Sequence, residues 1–316
     1  MEAANFCHSH AGGNLLYTIR HVTRYDYPGD VRESVMEVRK HPQSNSFQRC
    51  LQFQLRTEPE VRVFNYTDHL QNVVHHFDIP WNHQALTVTA ESVVDVKPMS
   101  ERSNDPSQIT QEGSWAELDE LISSQDCCEM LQDSRYVTES AALEALCKEF
   151  GASQRLTPYK LALELTQAVH SKFAYDRNST KVDSTVAEVI AARSGVCQDF
   201  SHVLLGLLRA AKIPSRYVSG YLFRGQEHLE GPEGRTSHAW VEALLPGFGW
   251  LGIDPTLGSL ADERHIYNCV GRDYADVPPT RGLFRGPGPG RLSYAVQVHL
   301  PDEVQEEDKF RDLGHV

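Results

Sequence analysis

The 316-residue chain is 40% hydrophobic and 23% charged and carries a net charge of −13, the balance of a soluble globular protein long enough for two domains and a sizeable core. It has no Lys/Arg-rich run, which argues against nucleic acid or an anionic membrane surface as a partner. The N-terminus MEAANFCHSHAGGN has no basic region followed by a long apolar stretch, and no run approaches the roughly 18 apolar residues of a membrane span, so a cytoplasmic protein is expected.

Seven cysteines, Cys7, Cys50, Cys127, Cys128, Cys147, Cys197 and Cys269, are odd in number and form no C-x-x-C pair. That suits reduced thiols better than a disulfide framework or a zinc site.

Residues 15–97 read as an antiparallel, sandwich-like β-domain. Leu51, Phe53 and Leu55 alternate with polar residues, as do Val61 and Val63, and Leu86, Val88 and Ala90; this is the two-residue period of half-buried strands. Turn-forming residues at Pro28-Gly29-Asp30, Pro42-Gln43-Ser44-Asn45 and Tyr66-Thr67-Asp68 punctuate them. His69, His75, His76, Asp78 and His83 crowd one stretch, but adjacent strand residues point to opposite faces, so His75 and His76 cannot share a metal. No metal or cofactor is expected.

Residues 98–114 are polar and aperiodic, a linker. The segment 115–300 then reads as a catalytic domain. Helices are expected at about 115–131, 138–150 and 157–171, the last opening with Thr157-Pro158, a cap followed by proline at the first helical position. A short helix at 185–192 precedes the loop Arg193–Val196. Beyond Cys197, Phe200, Val203, Leu204, Leu207, Leu208 and Ala211 fall on one helical face, which puts Cys197 at a helix N-terminus, where free N–H groups and the helix dipole favour a thiolate.

Two strands follow, Ser237–Leu244 with His238 and Gly249–Ile253 running into Asp254. A helix-borne Cys facing a strand-borne His oriented by an Asp supplies nucleophile, base and orienter. Gly195 either admits a substrate backbone or makes a tight turn. Asp199 reads as a helix cap, and His202, Trp240 and Trp250 as structural, with Trp240 also able to wall the site from water. The loop Arg224–Arg235 is placed to shape a substrate cleft. PPTRGLFRGPGPG reads as irregular, LSYAVQVHL as a final strand joining either the core sheet or the N-terminal domain, and 301–316 as a frayed acidic tail.

The stretches GVCQDFSHVLLGLLRAAKIPSRYVSGY, SHAWVEA and GWLGIDPT resemble the core of the transglutaminase-like superfamily, a papain-related group of Cys-His-Asp enzymes, over Thr157–Leu260 (core motif region 157–260). Residues Tyr17–Val96 resemble the β-domain N-terminal to that core in bacterial members. The resemblance implies an α+β fold in which the nucleophile's helix packs on an antiparallel sheet. It also implies roles: Cys197 as nucleophile, His238 as general base and acid, Asp254 as orienter, and Tyr175 as a candidate oxyanion donor beside the Cys197 N–H. The implied chemistry is acyl transfer from an amide of a peptide or protein through a thioester. Animal transglutaminases depend on calcium, and no D-x-D-x-D-G loop occurs here, which favours a cysteine protease or amidase. Protein-glutamine gamma-glutamyltransfer is the alternative and a non-catalytic binding module a second. By analogy with the amide in papain-like triads, Asp254→Asn is expected to be the mildest triad substitution.

Overall fold

The computed structural model describes residues 13–109, 112–125, 127–153, 155–225 and 237–300. Cys7, most of the Arg224–Arg235 loop and the acidic tail lie outside the described residues.

Five antiparallel strands open the chain: β1 (Leu15–Val38), β2 (Gln48–Glu58), β3 (Phe64–Thr67), β4 (Val73–Ile79) and β5 (His83–Val96). The first half of β1 pairs with β5 and the second half with β4, and the register shifts between Asp26 and Val31. Pro28 and Gly29 sit at that break, where proline's missing N–H interrupts a ladder. The sheet therefore curls on itself, and its two halves close over Val31, Met36, Val38, Phe77, Ile79, Leu86 and Val88.

The segment 98–114 connects the domains, and described residues along it pack on the rest of the chain. Arg102 is buried with its guanidinium 4.4 Å from the centre of the Phe47 ring, and Asn104 Nδ2 donates to the Trp250 carbonyl at 3.2 Å.

Helix α1 (Trp115–Ser124) starts at a reciprocal Ser114/Glu117 capping box. It is shorter than the expected 115–131, because the Ser123 and Ser124 hydroxyls donate to the Asp119 and Leu121 carbonyls and compete with the backbone at the helix end. A 3-10 turn follows at Cys128–Leu131. Next come α2 (Ala141–Glu149) and α3 (Pro158–Lys172), the latter capped by Thr157. After them lie β6 (Ala174–Tyr175), α4 (Val186–Ala192), β7 (Ser194–Gly195) and α5 (Cys197–Ala210).

The second sheet is formed by β8 (Ser215–Leu222), β9 (Ser237–Leu245), β10 (Gly249–Asp254), β11 (Ser259–Leu260) and β12 (His265–Gly271), in the order β11-β10-β9-β8-β12. Helix α5 buries Phe200, Val203, Leu204, Leu207 and Leu208 against Ala239, Val241, Ala243, Leu251 and Ile253. Each such leucine contributes about 2 kcal/mol of burial. The alternate residue Trp240 faces the opposite way, onto Phe47, Val218, Tyr267 and Val270. Tyr17, Ile19, Val94 and Val96 of the first sheet pack on Tyr221 and Ile266. The second sheet is thus held between α5 and the N-terminal β-layer.

The last described strands return to that layer. Strand β14 (Arg291–His299) pairs with β1 over Thr18–Asp26, so the final strand joins the N-terminal sheet. The stretch read as irregular contains a strand, β13 (Thr280–Arg285), paired with β1 over Arg32–Val38. Its glycines disguise it: a Cβ on Gly282 would collide with the Met36 sulfur, so glycine there permits close strand approach. Strands β13 and β14, counted with the 115–300 domain from sequence, therefore belong to the first sheet.

Candidate active site

Cys197 is the first residue of α5, and the chain reaches it through β7, which runs parallel to β6 with Gly195 opposite Tyr175. Asp199 ties this entry together. Its Oδ2 accepts the Val196 N–H at 2.8 Å and the Thr180 hydroxyl at 2.6 Å, and burial pushes its carboxyl up. A Cβ on residue 195 would lie 2.6 Å from the Asp199 Cβ. Gly195 thus leaves the space that the Asp199 side chain occupies in the cap. The Cys197 side chain remains partly exposed.

His238, at the start of β9, and Asp254, at the end of β10, are buried. His238 Nε2 lies 2.7 Å from Asp254 Oδ2. That leaves Nδ1 to face the Cys197 thiol, whose interaction with the ring also favours the imidazolium. Burial by itself would disfavour the imidazolium, but Asp254 and then Cys197 outweigh it and raise His238 to about 10.

Asp254 is saturated with donors. Its Oδ1 accepts the Thr256 N–H at 2.8 Å and the Leu257 N–H at 3.2 Å, while Oδ2 faces both His238 Nε2 and His265 Nε2, the latter at 3.1 Å. Burial would raise this carboxyl, yet His238 and His265 hold it far below the usual carboxylate range. Trp240 stacks beside His238 with ring centres 6.0 Å apart and meets His265 edge-on at 5.1 Å, walling the inner side of the histidine pair from solvent.

Tyr175 is half exposed beside the site, edge-on to Phe200 at 6.2 Å. Burial of its phenol and then the neighbouring Cys197 raise its pKa, and Arg177 hydrogen-bonds to it. His202 is wholly buried, accepts the Tyr274 N–H at 3.2 Å, stacks on Tyr136 and is pushed down to about 4 by burial, consistent with a structural residue.

His265 was not singled out from sequence. The available signal was a histidine eleven residues after Asp254, opening an apolar strand behind Asp262-Glu263-Arg264. His238, Asp254 and His265 bring three ligand-type atoms within 4.8 Å of one another. The 2.7 Å and 3.1 Å contacts show a directly hydrogen-bonded chain, tighter than the donor spacing of about 3.3 Å around a tetrahedral zinc. In the β-domain, His75 stacks with His41 and Phe53, His76 with Phe64, and His83 bonds to Ser34, so these residues face different neighbours.

A partly open thiol at a helix N-terminus, interacting with a buried imidazole that an ionised carboxylate holds in place, can generate a thiolate-imidazolium pair. The fold and this geometry define a cysteine at a helix N-terminus facing a buried His-Asp pair on an antiparallel sheet. Residues 145–255 match the transglutaminase-like superfamily and residues 17–95 match the bacterial transglutaminase-like N-terminal region. An uncharacterized protein of Mycobacterium leprae is 34% identical over 280 residues, covering 88% of this chain and 96% of its own. The chain belongs to the transglutaminase-like superfamily. A protein-glutamine gamma-glutamyltransferase of Pseudomonas aeruginosa is 37% identical over 144 residues, 41% of this chain and 21% of its own. In the solved structure of a provisionally assigned cysteine protease from Cytophaga hutchinsonii the same fold recurs with a TM-score of 0.67, 21% identity and 96% coverage of both chains.

Proposed function

We propose that the protein is a cysteine hydrolase of peptide or protein amides, working through a thioester on Cys197. The observation that carries this reading is the continuous line from a partly exposed Cys197 through buried His238 to Asp254, with a 2.7 Å His-Asp hydrogen bond. The thiolate attacks the amide carbonyl carbon, and the oxyanion that forms is met by the Cys197 N–H and, in this reading, Tyr175. His238, protonated on Nδ1, gives that proton to the leaving nitrogen as the C–N bond breaks. His238 then takes a proton from water, the hydroxyl adds to the thioester, and the acid and the free thiol are released.

Transfer to an amine differs only in the attacker, and the identity to the Pseudomonas glutamyltransferase supports it as the second reading. The whole-chain likeness to a provisionally assigned cysteine protease supports the fold on which hydrolysis would run. Incubating the protein with glutamine-containing peptides, with and without an added primary amine, and reading product masses separates the outcomes. Deamidation or backbone cleavage supports hydrolysis and amine adducts support transfer. Product formation undiminished in Cys197→Ala would refute both.

A further inference from the structure

We propose that His265 is a positioning residue for this site, donating an N–H to Asp254 and so holding the carboxylate, and through it the His238 ring, in line with Cys197. The proposal rests on the thiol reading above and adds a residue to it.

The chain leaves β11 beside β10, crosses the end of the sheet and re-enters it as β12 beside β8, with His265 as the first residue of β12. The ring is fully buried. Its Nε2 lies 3.1 Å from Asp254 Oδ2, the oxygen that His238 Nε2 meets at 2.7 Å. Two ring nitrogens can share one carboxylate oxygen only as donors, so the contact specifies the proton's place on each ring.

The other side of His265 is compatible with that assignment. Its Nδ1 lies 3.0 Å from the backbone N of Asp262, an N–H that can only donate, and a neutral ring that accepts it carries its proton on Nε2. Asp262 Oδ1 is 3.1 Å from the same Nδ1. Were that nitrogen also protonated, it would donate to Asp262 and leave the Nε2–H on Asp254 unchanged. The turn carrying these groups is clamped: Arg264 donates to the Asp262 carboxylate from its backbone N at 2.9 Å, from Nε at 2.9 and 3.1 Å and from Nη2 at 2.6 Å. The His265 N–H adds a bond to the Asp262 carbonyl at 3.2 Å. His265 is thereby aimed at Asp254 by a rigid turn, much as outer partners orient the ligands of a metal site.

The test compares wild type, His265→Leu and His265→Gln. Leucine removes the donor at similar bulk, and the glutamine amide can donate from the position of Nε2. The readout is the rate at which iodoacetamide labels Cys197 between pH 5 and 8, with circular dichroism as a check on folding. Loss of a hydrogen bond to a charged group is expected to slow Cys197 labelling at pH 6 by about ten- to a hundredfold in His265→Leu, moving its pH-rate curve upward, while His265→Gln recovers most of the rate. A folded His265→Leu with the wild-type curve, or a folded His265→Gln as slow as the leucine variant, overturns the proposal. Nitrogen NMR of the wild-type imidazoles covers the case in which the leucine variant does not fold. A proton on His265 Nε2 supports the assignment, and one on Nδ1 alone overturns it. If wild-type Cys197 is not labelled selectively at pH 6, the thiol reading itself fails, a result visible before any His265 variant is made.

Discussion

Asparagine at position 254 keeps the shape of the side chain, removes its charge and replaces one acceptor oxygen by a donor. The charge centres of Asp254 and His238, joined by the 2.7 Å contact, lie about 4 Å apart, and at an effective dielectric of about 20 their attraction is about 4 kcal/mol. That is about three pKa units, enough to bring His238 from about 10 back toward its ordinary range. The same energy biases proton transfer from thiol to imidazole by about a thousandfold. The amide also meets four N–H groups with a single oxygen. Turned toward the Thr256 and Leu257 amides, that oxygen leaves the NH2 group against two histidines and forces His238 to carry its proton on Nδ1, the wrong tautomer for a base facing the thiol. Turned the other way, the asparagine strips both backbone N–H groups of their acceptor, at about 1–3 kcal/mol each. Asp254→Asn is therefore expected to be costly even as the mildest of the triad substitutions. Brief iodoacetamide pulses at pH 6 followed by peptide mapping should show Cys197 labelling slowed by up to about a thousandfold. Labelling at the wild-type rate would refute the reasoning.

Lys40 is buried with one hydrogen bond, to Thr23, and is lowered by burial from 10.5 to about 7, next to the equally buried His21. Holding its charge inside costs on the order of 5 kcal/mol, so Lys40→Met should raise the urea midpoint most at pH 6, and the gain should shrink as pH climbs from about 7 toward 10.5; a gain independent of pH contradicts this. Gly195→Ala drives a Cβ into Asp199, which should cost about 1–3 kcal/mol of stability and slow Cys197 labelling, both measurable in one preparation. Tyr175→Phe should lower kcat by about a hundredfold if its hydroxyl meets the oxyanion while leaving Cys197 labelling intact; unchanged turnover removes Tyr175 from the mechanism.

The sequence by itself carried the parts of this protein that depend on local periodicity. Helix α5 was legible because Phe200, Val203, Leu204, Leu207 and Leu208 repeat at the helical period, and Cys197 had to precede them. Strands β9 and β10, with His238 and Asp254 at their ends, were legible for the matching reason, as was the Thr157 cap. The tertiary structure decided what depends on residues distant in the chain. The return of β13 and β14 to β1 was hidden because glycines placed for close strand approach read as loop, and because a strand's partner is not written in its own residues. The reason for Gly195 appeared only once Asp199 was seen to occupy the space a Cβ would need. His265 stayed hidden because a buried histidine in an apolar strand looks the same in sequence whether or not its ring meets a carboxylate. Here the chain crosses the end of the sheet and lays that ring 3.1 Å from Asp254, a contact set by backbone path and packing rather than by any local pattern.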